Sequence, residues 1–250
     1  MRVTLVGCTT GHFANMERAS GGKWEPEGDG TAQDLIEFAG RACYRSWGRP
    51  NAATASNAGY IGNIIAQEHF SVLEHGSVSF YIEHVSRSLT HELVRHRHFS
   101  FSQLSQRYVE ITGNEDFVVP PLFDGNDKAE AIMTQVWLMA TRAYLALEEE
   151  ASSTLAELGV VGTAARKQAR EAARAVLPNM TPTSVVVTGN HRSWREFIAK
   201  RGTVHADAEI RELAVEVFQQ LAYAEPNMYQ DMKLTTVNHG GGPVIIVDGS

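Results

Sequence analysis

SVLEHGSVSFYIEHVSRSLTHELVRH (71–96) decides the fold class, because its periodicity changes halfway along the segment. Apolar and polar residues alternate around SVSFYI (77–82), which is typical of a strand with one buried face. From about Ser86 the apolar residues recur at helical spacing instead. The segment therefore predicts a strand that leads directly into a helix.

The rest of the chain is mostly helical, with few strands. Helical spacing predicts helices over 31–47, 53–70, 128–158, 163–177, 190–201 and 207–224. RVTLVG (2–7) predicts a buried first strand, SVVVTG (184–189) predicts another strand, and SGGKWEPEGDG (20–30) predicts an exposed loop. Because the strands follow no regular βαβ rhythm, we expect an α+β fold with a mixed or antiparallel sheet flanked by helices and a largely helical second half. One domain over 1–250 is expected, with a loose tail from about residue 238.

The composition excludes several classes of protein. The chain has 29 acidic and 22 basic residues and an isoelectric point near 5.8, so no overall charge favours nucleic acid or an anionic membrane. Its first residues have too short an apolar run for a signal peptide, and no later stretch reaches the ~18 to 20 apolar residues that span a bilayer. With only two cysteines, Cys8 and Cys43, neither a disulfide framework nor a CxxC metal pair is possible. These features predict a cytoplasmic protein.

RHRHFSFSQLSQRY (95–108) is the most unusual stretch of the chain. HELVRH (91–96) is not a zinc protease signature, because His91 and His96 are five residues apart and diverge by about 140° on a helix. If the chain leaves the helix near Arg95 and becomes extended, Arg95 and Arg97 share one face, and the two histidines share the other. Two guanidinium groups on one face are suited to bidentate binding of phosphate.

The arginines around this stretch lack local counter-ions. Between His84 and Val109 the only carboxylate is that of Glu92, whereas four arginines lie in this span, at positions 87, 95, 97 and 107. Serine and glutamine side chains among them can donate to or accept from a phosphate or a heterocycle. Either the arginines bind an anion, or they pair with acids from elsewhere in the fold.

A second basic cluster lies downstream. Arg166, Arg170 and Arg174 recur at intervals of four on one helical stripe, which predicts a surface stripe for most of them. Arg174 is the exception, because it precedes AVLP (175–178) at the inner end of the helix. Asn190 and Arg192 lie at a strand-to-helix junction, where free backbone N–H groups favour anions.

The two cysteines are expected to be small core residues. Cys43 lies among apolar residues of a predicted helix, and Cys8 ends the first strand. Neither has a cationic neighbour or a base placed to make a thiolate. The sequence also lacks GxGxxG after a strand and GxxxxGK[ST], so a bound nucleotide would use neither a Rossmann nor a P-loop cradle.

The motif resembles the signature of the flavin-dependent thymidylate synthases: RHR, two residues, Ser, four residues, Ser, one residue and Arg, usually followed by Tyr. These positions are Arg95–Arg97, Ser100, Ser105, Arg107 and Tyr108 here. The resemblance continues through FAGRACYRSW (38–47), HFSVLEHGSVSFYI (69–82), RKQAREAARAVLPN (166–179) and TGNHRSW (188–194), and covers roughly residues 34–221. The chain departs from the family at Ser102-Gln103, often Asn-Glu, and at Glu196, usually His or Asn.

The resemblance implies an enzyme that converts dUMP to dTMP, with methylenetetrahydrofolate as the carbon donor, NADPH as the reductant and FAD as the hydride carrier. It implies a homotetramer whose sites are shared between subunits, and no metal. By matching position, FAD would be held by Ser71, Arg95, His96, Arg97, Gln103, Asn190, Arg192 and Glu196. By the same matching, dUMP would be held by Glu92, Leu93, Val94, Arg95, Gln103, Leu104, Ser105, Gln106, Arg107, Arg174 and Arg201.

The resemblance also implies chemistry without a cysteine nucleophile. Arg201 is implied as the catalytic residue, supplying positive charge beside the uracil ring. The residues alone leave two other hypotheses open. A nucleic-acid binder could use arginines interleaved with Phe99, Phe101 and Tyr108 for stacking on bases. A structural oligomer could use the basic clusters as ion pairs between subunits.

Overall fold

The computed structural model describes residues 1–28, 30–49, 51–114, 116–237 and 242–247. Within them the α-helices are α1 (Phe13–Ser20), α2 (Ala32–Tyr44), α3 (Asn57–Ala66), α4 (Arg87–Leu93), α5 (Asp127–Glu157), α6 (Gly162–Ala173), α7 (His191–Arg201) and α8 (Ala208–Ala224). The strands are β1 (Arg2–Cys8), β2 (Ser77–Ser86), β3 (Ser100–Gln103), β4 (Pro182–Asn190), β5 (Met232–Val237) and β6 (Gly242–Val247). Short 3-10 helices lie at Ala52–Thr54, Phe70–His75, Pro121–Phe123, Arg174–Val176 and Pro226–Tyr229.

The strands form two sheets. The larger sheet is antiparallel and has the order β1-β2-β4-β3. The smaller sheet is the antiparallel hairpin β5-β6, in which Met232 pairs with Val247 and Val237 pairs with Gly242. The predicted α+β class is confirmed, and the helices predicted from periodicity are all present.

The strand-to-helix transition after β2 lies where the sequence predicts it. Ser86 accepts a hydrogen bond from the backbone N–H of Leu89 at 3.0 Å through its hydroxyl, so it caps the start of α4. The helix ends at Leu93, two residues before Arg95. Residues 94–98 then form turns rather than an extended segment, and the extended backbone begins only at Ser100. The prediction that Arg95 and Arg97 share one face of an extended segment is therefore wrong.

One residue of β2 has a backbone conformation that is unusual for its type. His84 has a φ of 54°, in the left-handed region that a side chain with a Cβ rarely adopts. The alternation of buried residues along β2 changes phase there, since Val78, Phe80 and Ile82 are buried and the next buried residue is Val85. The extra residue thereby shifts which positions are buried at the end of the strand, just before α4 begins.

Exchange of His84 for glycine is expected to raise the free energy of unfolding by about 0.5–1 kcal/mol. Glycine relieves the ~1–2 kcal/mol cost of a left-handed residue, and its larger backbone entropy in the unfolded chain offsets part of that gain. The side chain of His84 is exposed, so little packing is lost. Urea unfolding measures the change, and His84→Ala, which keeps the strained conformation, serves as the control. A His84→Gly variant no more stable than His84→Ala would contradict the assignment of strain.

The chain divides into two compact units. The first unit contains Met1–Arg2, Ile82–Leu93 and Ser102–Val185, and the second contains Val3–Tyr81, Val94–Phe101 and the described residues from Val186 onward. In the first unit α5 and α6 pack against each other, and the buried residues Ile111, Trp137, Tyr144 and Ala173 form a core. Whether the whole chain acts as one domain stays a prediction.

The core of the second unit is rich in aromatic residues. Trp194 of α7 is fully buried and packs edge-on against Phe80 of β2, with ring centroids 5.1 Å apart. Its indole N–H donates to the carbonyl of Val78 at 3.1 Å, so its one polar atom is paired. Helix α7 is thereby fixed to the sheet.

Two expectations about buried residues are wrong, and the expectation of an exposed loop holds only in part. The first strand is not buried, because β1 lies at an edge of the sheet and its residues alternate between exposed and half-buried. Within the loop 20–30, predicted as exposed, Trp24 is only 1% exposed, because the large apolar indole is more stable out of water. Cys8 and Cys43 are both exposed rather than core residues.

The expected loose tail is also partly wrong. Residues 242–247 form β6, whose β-branched residues Val244 and Ile245 are buried. The rest of the expected tail, 238–241 and 248–250, lies outside the described residues. Among the described residues, no helix has both the length and the apolar character needed to cross a membrane.

Candidate functional site

The first half of the motif lines a cavity in the second unit. The cavity has a volume of about 500 Å³ and is lined by Arg95, His96, Arg97, His98, Phe99, Ser193, Glu196, Lys200 and Arg201. Four of these side chains are arginines or lysines, and one is a carboxylate. A site with this excess of positive charge is suited to a phosphate-bearing ligand.

Aromatic packing holds the motif beside this cavity. Phe99 is buried, and its ring centroid lies 4.4 Å from that of Trp194. Gly189 of β4 makes this packing possible, since a Cβ there would lie 2.3 Å from the ring of Phe99. Because Phe99 is buried in this way, it cannot stack on a base as the hypothesis of a nucleic-acid binder requires.

His96 and Arg201 are paired within the cavity. The Nε–H of Arg201 donates to Nε2 of His96 at 3.2 Å, and the imidazole packs edge-on against Phe197. Burial, together with the positive charges of Arg201 and Lys200, lowers the pKa of His96 to about 4. The imidazole is therefore neutral at pH 7, as an acceptor of the Arg201 N–H must be.

Glu196 is the carboxylate in this cationic cavity. Lys200, one turn later on α7, donates to it at 2.5 Å, and this hydrogen bond lowers the pKa of Glu196. Both side chains are about half exposed, with exposed fractions of 62% for Lys200 and 45% for Glu196, so the pair contributes little to stability. The pair does reduce the net positive charge of the cavity.

The other residues implied for FAD lie outside this cavity. Ser71 is exposed on the 3-10 helix Phe70–His75, and Asn190 caps α7 by accepting from the backbone N–H of Ser193 at 2.9 Å. Arg192 is exposed, forms an ion pair of 2.6 Å with Glu74, and lines a neighbouring cavity of about 420 Å³ that also includes Glu196. Gln103 belongs to the first unit, where it donates to the hydroxyl of Thr90 at 3.1 Å.

The second half of the motif and Arg174 belong to the first unit. Arg107 forms an ion pair of 2.5 Å with Glu171 of α6, and its Nε is buried and finds no hydrogen-bond acceptor among the described residues. Ser105 lies in the turn that carries Arg107, where its carbonyl accepts from the backbone N–H of Tyr108 at 3.1 Å. Arg107 therefore still has an unsatisfied donor beside its ion pair.

Arg87 and Arg174 form a pair of like charges. The pKa of the Arg87 guanidinium is lowered, first by burial and then by the positive charge of Arg174. Two neighbouring cations are stable together when an anion binds between or beside them. Arg87 was not predicted as a site residue, although it is one of the four arginines without local counter-ions.

The remaining residues implied for dUMP differ in exposure. Glu92, Ser105 and Gln106 are half-buried, and Val94 and Leu104 are exposed. Leu93 is only 1% exposed, so its side chain packs in the interior, and only its main chain is available to a ligand. Ser193 and Lys200 were not predicted as site residues from the sequence, although they line the cavity of the second unit.

The structure thus brings together five of the predicted residues, namely Arg95, His96, Arg97, Glu196 and Arg201, in one cavity. In the first unit Arg107 pairs with Glu171 of α6, and Arg174 lies beside Arg87. The alternative in which the arginines at 87, 95, 97 and 107 pair with distant acids holds in part, since Arg107 does form such an ion pair, with Glu171.

Comparison with known proteins agrees with the motif. Residues 29–227 match the family described as thymidylate synthase complementing protein. The chain is 51% identical over 218 residues to the flavin-dependent thymidylate synthase of Mycolicibacterium gilvum (strain PYR-GCK), which covers 87% of this chain and 86% of that relative. It is 52% identical over 217 residues to the proteins of the same name from Mycolicibacterium vanbaalenii and Mycobacterium tuberculosis (strain ATCC 25618 / H37Rv), again with 87% and 86% covered. The chain therefore belongs to the family of flavin-dependent thymidylate synthases.

Proposed function

We propose that the chain binds FAD and converts dUMP to dTMP, with methylenetetrahydrofolate as the carbon donor and NADPH as the reductant. The observation that carries this proposal is the cationic cavity formed by the motif and α7. Its arginines suit the pyrophosphate of a dinucleotide, because planar guanidinium groups bind phosphate oxygens in a bidentate manner. The relatives at 51–52% identity carry the name flavin-dependent thymidylate synthase, which supports a flavin as the ligand.

The residues proposed to hold FAD are those of the motif and of α7. Arg95 and Arg97 would bind the phosphates of FAD, and His96, which lines the same cavity, would also contact FAD. Ser71, Asn190, Arg192, Gln103 and Glu196 are proposed contacts from the family alone. When bound, the flavin supplies redox chemistry by carrying the hydride.

The nucleotide substrate is proposed to bind through Arg107, Arg174 and their neighbours. Arg107 has a buried donor without an acceptor among the described residues, and Arg174 lies beside the cation Arg87, so a phosphate would satisfy both. The other proposed contacts are Glu92, Leu93, Val94, Arg95, Gln103, Leu104, Ser105, Gln106 and Arg201. Arg201 would stabilise the negative charge that develops on the uracil ring, with its guanidinium oriented by His96.

The mechanism is proposed to need no cysteine nucleophile. Cys8 and Cys43 are exposed, and neither lines the cavity that contains Arg201. Both are unpaired thiols, which is typical of a reducing compartment and supports the cytoplasm as the place of action.

A homotetramer with sites shared between subunits is the proposed assembly. Helix α5 supports an interface between copies, because Ile132, Val136 and Met139 are exposed apolar residues at intervals of four and three, which places them on one face. A monomeric mass of the purified protein in light scattering would contradict this assembly.

The test of the proposed function combines absorption spectra with product analysis. The purified protein is expected to show the visible absorption of an oxidised flavin, which mass spectrometry should identify as FAD after denaturation. dTMP should form from dUMP only with methylenetetrahydrofolate and NADPH, and the double variant Cys8→Ser with Cys43→Ser should keep this activity.

A protein that stays colourless with added FAD and binds nucleic acid with steep salt dependence would instead support the nucleic-acid binder. A folded double variant that binds FAD and dUMP but makes no dTMP would contradict the mechanism without a cysteine.

A further inference from the structure

Arg170 of α6 connects three parts of the first unit. Its Nε donates to Glu148 of α5 at 2.8 Å, and its terminal nitrogens donate to the carbonyl of Tyr108 at 2.7 Å and to the carboxylate of Glu110 at 2.9 Å. The side chain is only 14% exposed. The spacing of the arginines predicted a surface stripe for Arg170, whereas all three nitrogens of its guanidinium donate hydrogen bonds in the structure.

The segment that Arg170 holds has few other regular contacts. Strand β3 ends at Gln103, and the backbone N–H of Leu104 donates to the carbonyl of Ser184 at 2.9 Å. Residues 105–109 then form a turn, in which the backbone N–H of Val109 donates to the carbonyl of Ser105 at 3.0 Å. Among the described residues these backbone hydrogen bonds lie within the turn, and such a turn can move as a unit unless side chains fix it to a helix.

Helix α6 supplies these side-chain contacts from one face. Lys167, Arg170 and Glu171 lie three and four residues apart along this face. The ammonium of Lys167 lies 5.4 Å from the centre of the Tyr108 ring, and Glu171 pairs with Arg107 at 2.5 Å. The contacts of Arg170 are the most buried and the most numerous of the three.

We propose that Arg170 is a positioning residue for the nucleotide substrate: it fixes Tyr108 and Glu110 so that Arg107 is presented to the substrate's phosphate. This inference rests on the proposed function, in which Arg107 binds dUMP. Glu148 of α5 accepts a hydrogen bond from Nε of Arg170, and this hydrogen bond raises the pKa of Arg170 above the ordinary value. Donation to three different groups from three separate nitrogens needs the planar guanidinium, so lysine cannot reproduce it.

A positioning role and a purely structural role make different kinetic predictions. If Arg170 only stabilises the fold, its loss lowers the fraction of folded enzyme and leaves the affinity of the folded enzyme for dUMP unchanged. If it positions Arg107, the affinity for dUMP falls while the flavin content and the rate at saturating dUMP stay close to those of the wild type. Binding of dUMP by the FAD-loaded protein is thus the decisive measurement.

The experiment compares Arg170→Lys with a matched control, Arg166→Lys. Arg166 lies one turn earlier on α6, is exposed, and donates only to Thr163, at 3.3 Å. For Arg170→Lys, we expect the Kd and the KM for dUMP to rise about tenfold, the factor that corresponds to 1.4 kcal/mol. Faster hydrogen exchange of the backbone amides of 105–110 is also expected. Arg166→Lys should match the wild type in every measurement.

Glu110→Gln decides the question if Arg170→Lys does not fold, because it weakens one contact and keeps the hydrogen bond of Arg170 to Glu148. It should raise the KM for dUMP by a smaller factor, about threefold. Unchanged dUMP affinity in the variants that fold, or a loss confined to kcat, would overturn the positioning role alone. A wild-type protein that binds FAD but not dUMP would instead overturn the proposed function.

Discussion

Exchange of Glu37 for glutamine is expected to lower the free energy of unfolding by about 3–5 kcal/mol. Glu37 is fully buried on α2, and its Oε1 accepts from Arg41 at 2.6 Å and from the indole N–H of Trp24 at 3.3 Å. Its Oε2 accepts from the amide of Asn57 at 2.9 Å. An amide has only one acceptor oxygen, so its NH₂ group would face a donor and leave the buried guanidinium of Arg41 without a counter-charge.

The matched control is Glu83→Gln, which removes the carboxylate of an exposed ion pair. Glu83 pairs with Arg2, whose side chain is 72% exposed, so its loss should cost less than about 1 kcal/mol. Chemical denaturation of both variants gives the comparison. A Glu37→Gln variant within 1 kcal/mol of Glu83→Gln would show that the network around Glu37 is not a main source of stability. Circular dichroism in buffer should also establish whether Glu37→Gln still folds.

The elements that the sequence predicts well are those whose cause is local. Helix α5 was predicted over 128–158 and is observed over Asp127–Glu157, because apolar spacing and the capping side chain of Asn126 both lie within or next to the helix. The start of α4 at Ser86 follows from the same local signals. Such elements need no knowledge of distant residues.

The errors come from contacts between distant parts of the chain. Trp24 is buried in a loop rich in glycine because it packs against Phe38 and donates to Glu37, which lies 13 residues later. The hairpin of β5 and β6 is held by a similar long-range contact, in which the backbone N–H of Ile245 donates to the carbonyl of Gly202 at 2.8 Å. The sequence does not indicate this contact. The exposure of the cysteines likewise depends on which faces of β1 and α2 remain uncovered.

The candidate site was predictable in its residue types and not in its pairings. Uncompensated arginines in the motif predicted an anion site, and five of the predicted residues do share one cavity. The partners Glu171 of Arg107 and Glu74 of Arg192 lie 64 and 118 residues away in sequence, so local charge counting could not find them. The turn at 94–98 also overrides the alternation of RHRH, and places arginines and histidines on the same cavity.

Exchange of Arg201 for lysine is expected to lower dTMP formation by about 10²–10³-fold, the usual cost of losing one donor that stabilises developing charge. Lysine keeps a positive charge but loses the planar fork, so its single nitrogen cannot occupy both the position that donates to His96 and the positions of the terminal guanidinium nitrogens. Because the pKa of His96 is about 4, its acceptor nitrogen is available at neutral pH and is lost only as the pH falls toward 4. The loss of dTMP formation in Arg201→Lys should therefore be the same throughout pH 6–8.

The flavin content distinguishes this role of Arg201 from a role in cofactor binding. Arg201 lines the same cavity as Arg95 and Arg97, so a variant that loses FAD would be inactive for another reason. We expect Arg201→Lys to retain FAD, as measured by its absorption spectrum, and to bind dUMP, while single-turnover formation of dTMP falls. Arg18→Lys, at an exposed position of α1, is the control for the same exchange elsewhere on the second unit. A variant that makes dTMP at the wild-type rate would remove Arg201 from the catalytic site, and a variant that loses FAD would reassign Arg201 to cofactor binding. If Arg201 acts on the reacting ring, its exchange should stop the reaction while FAD and dUMP both stay bound.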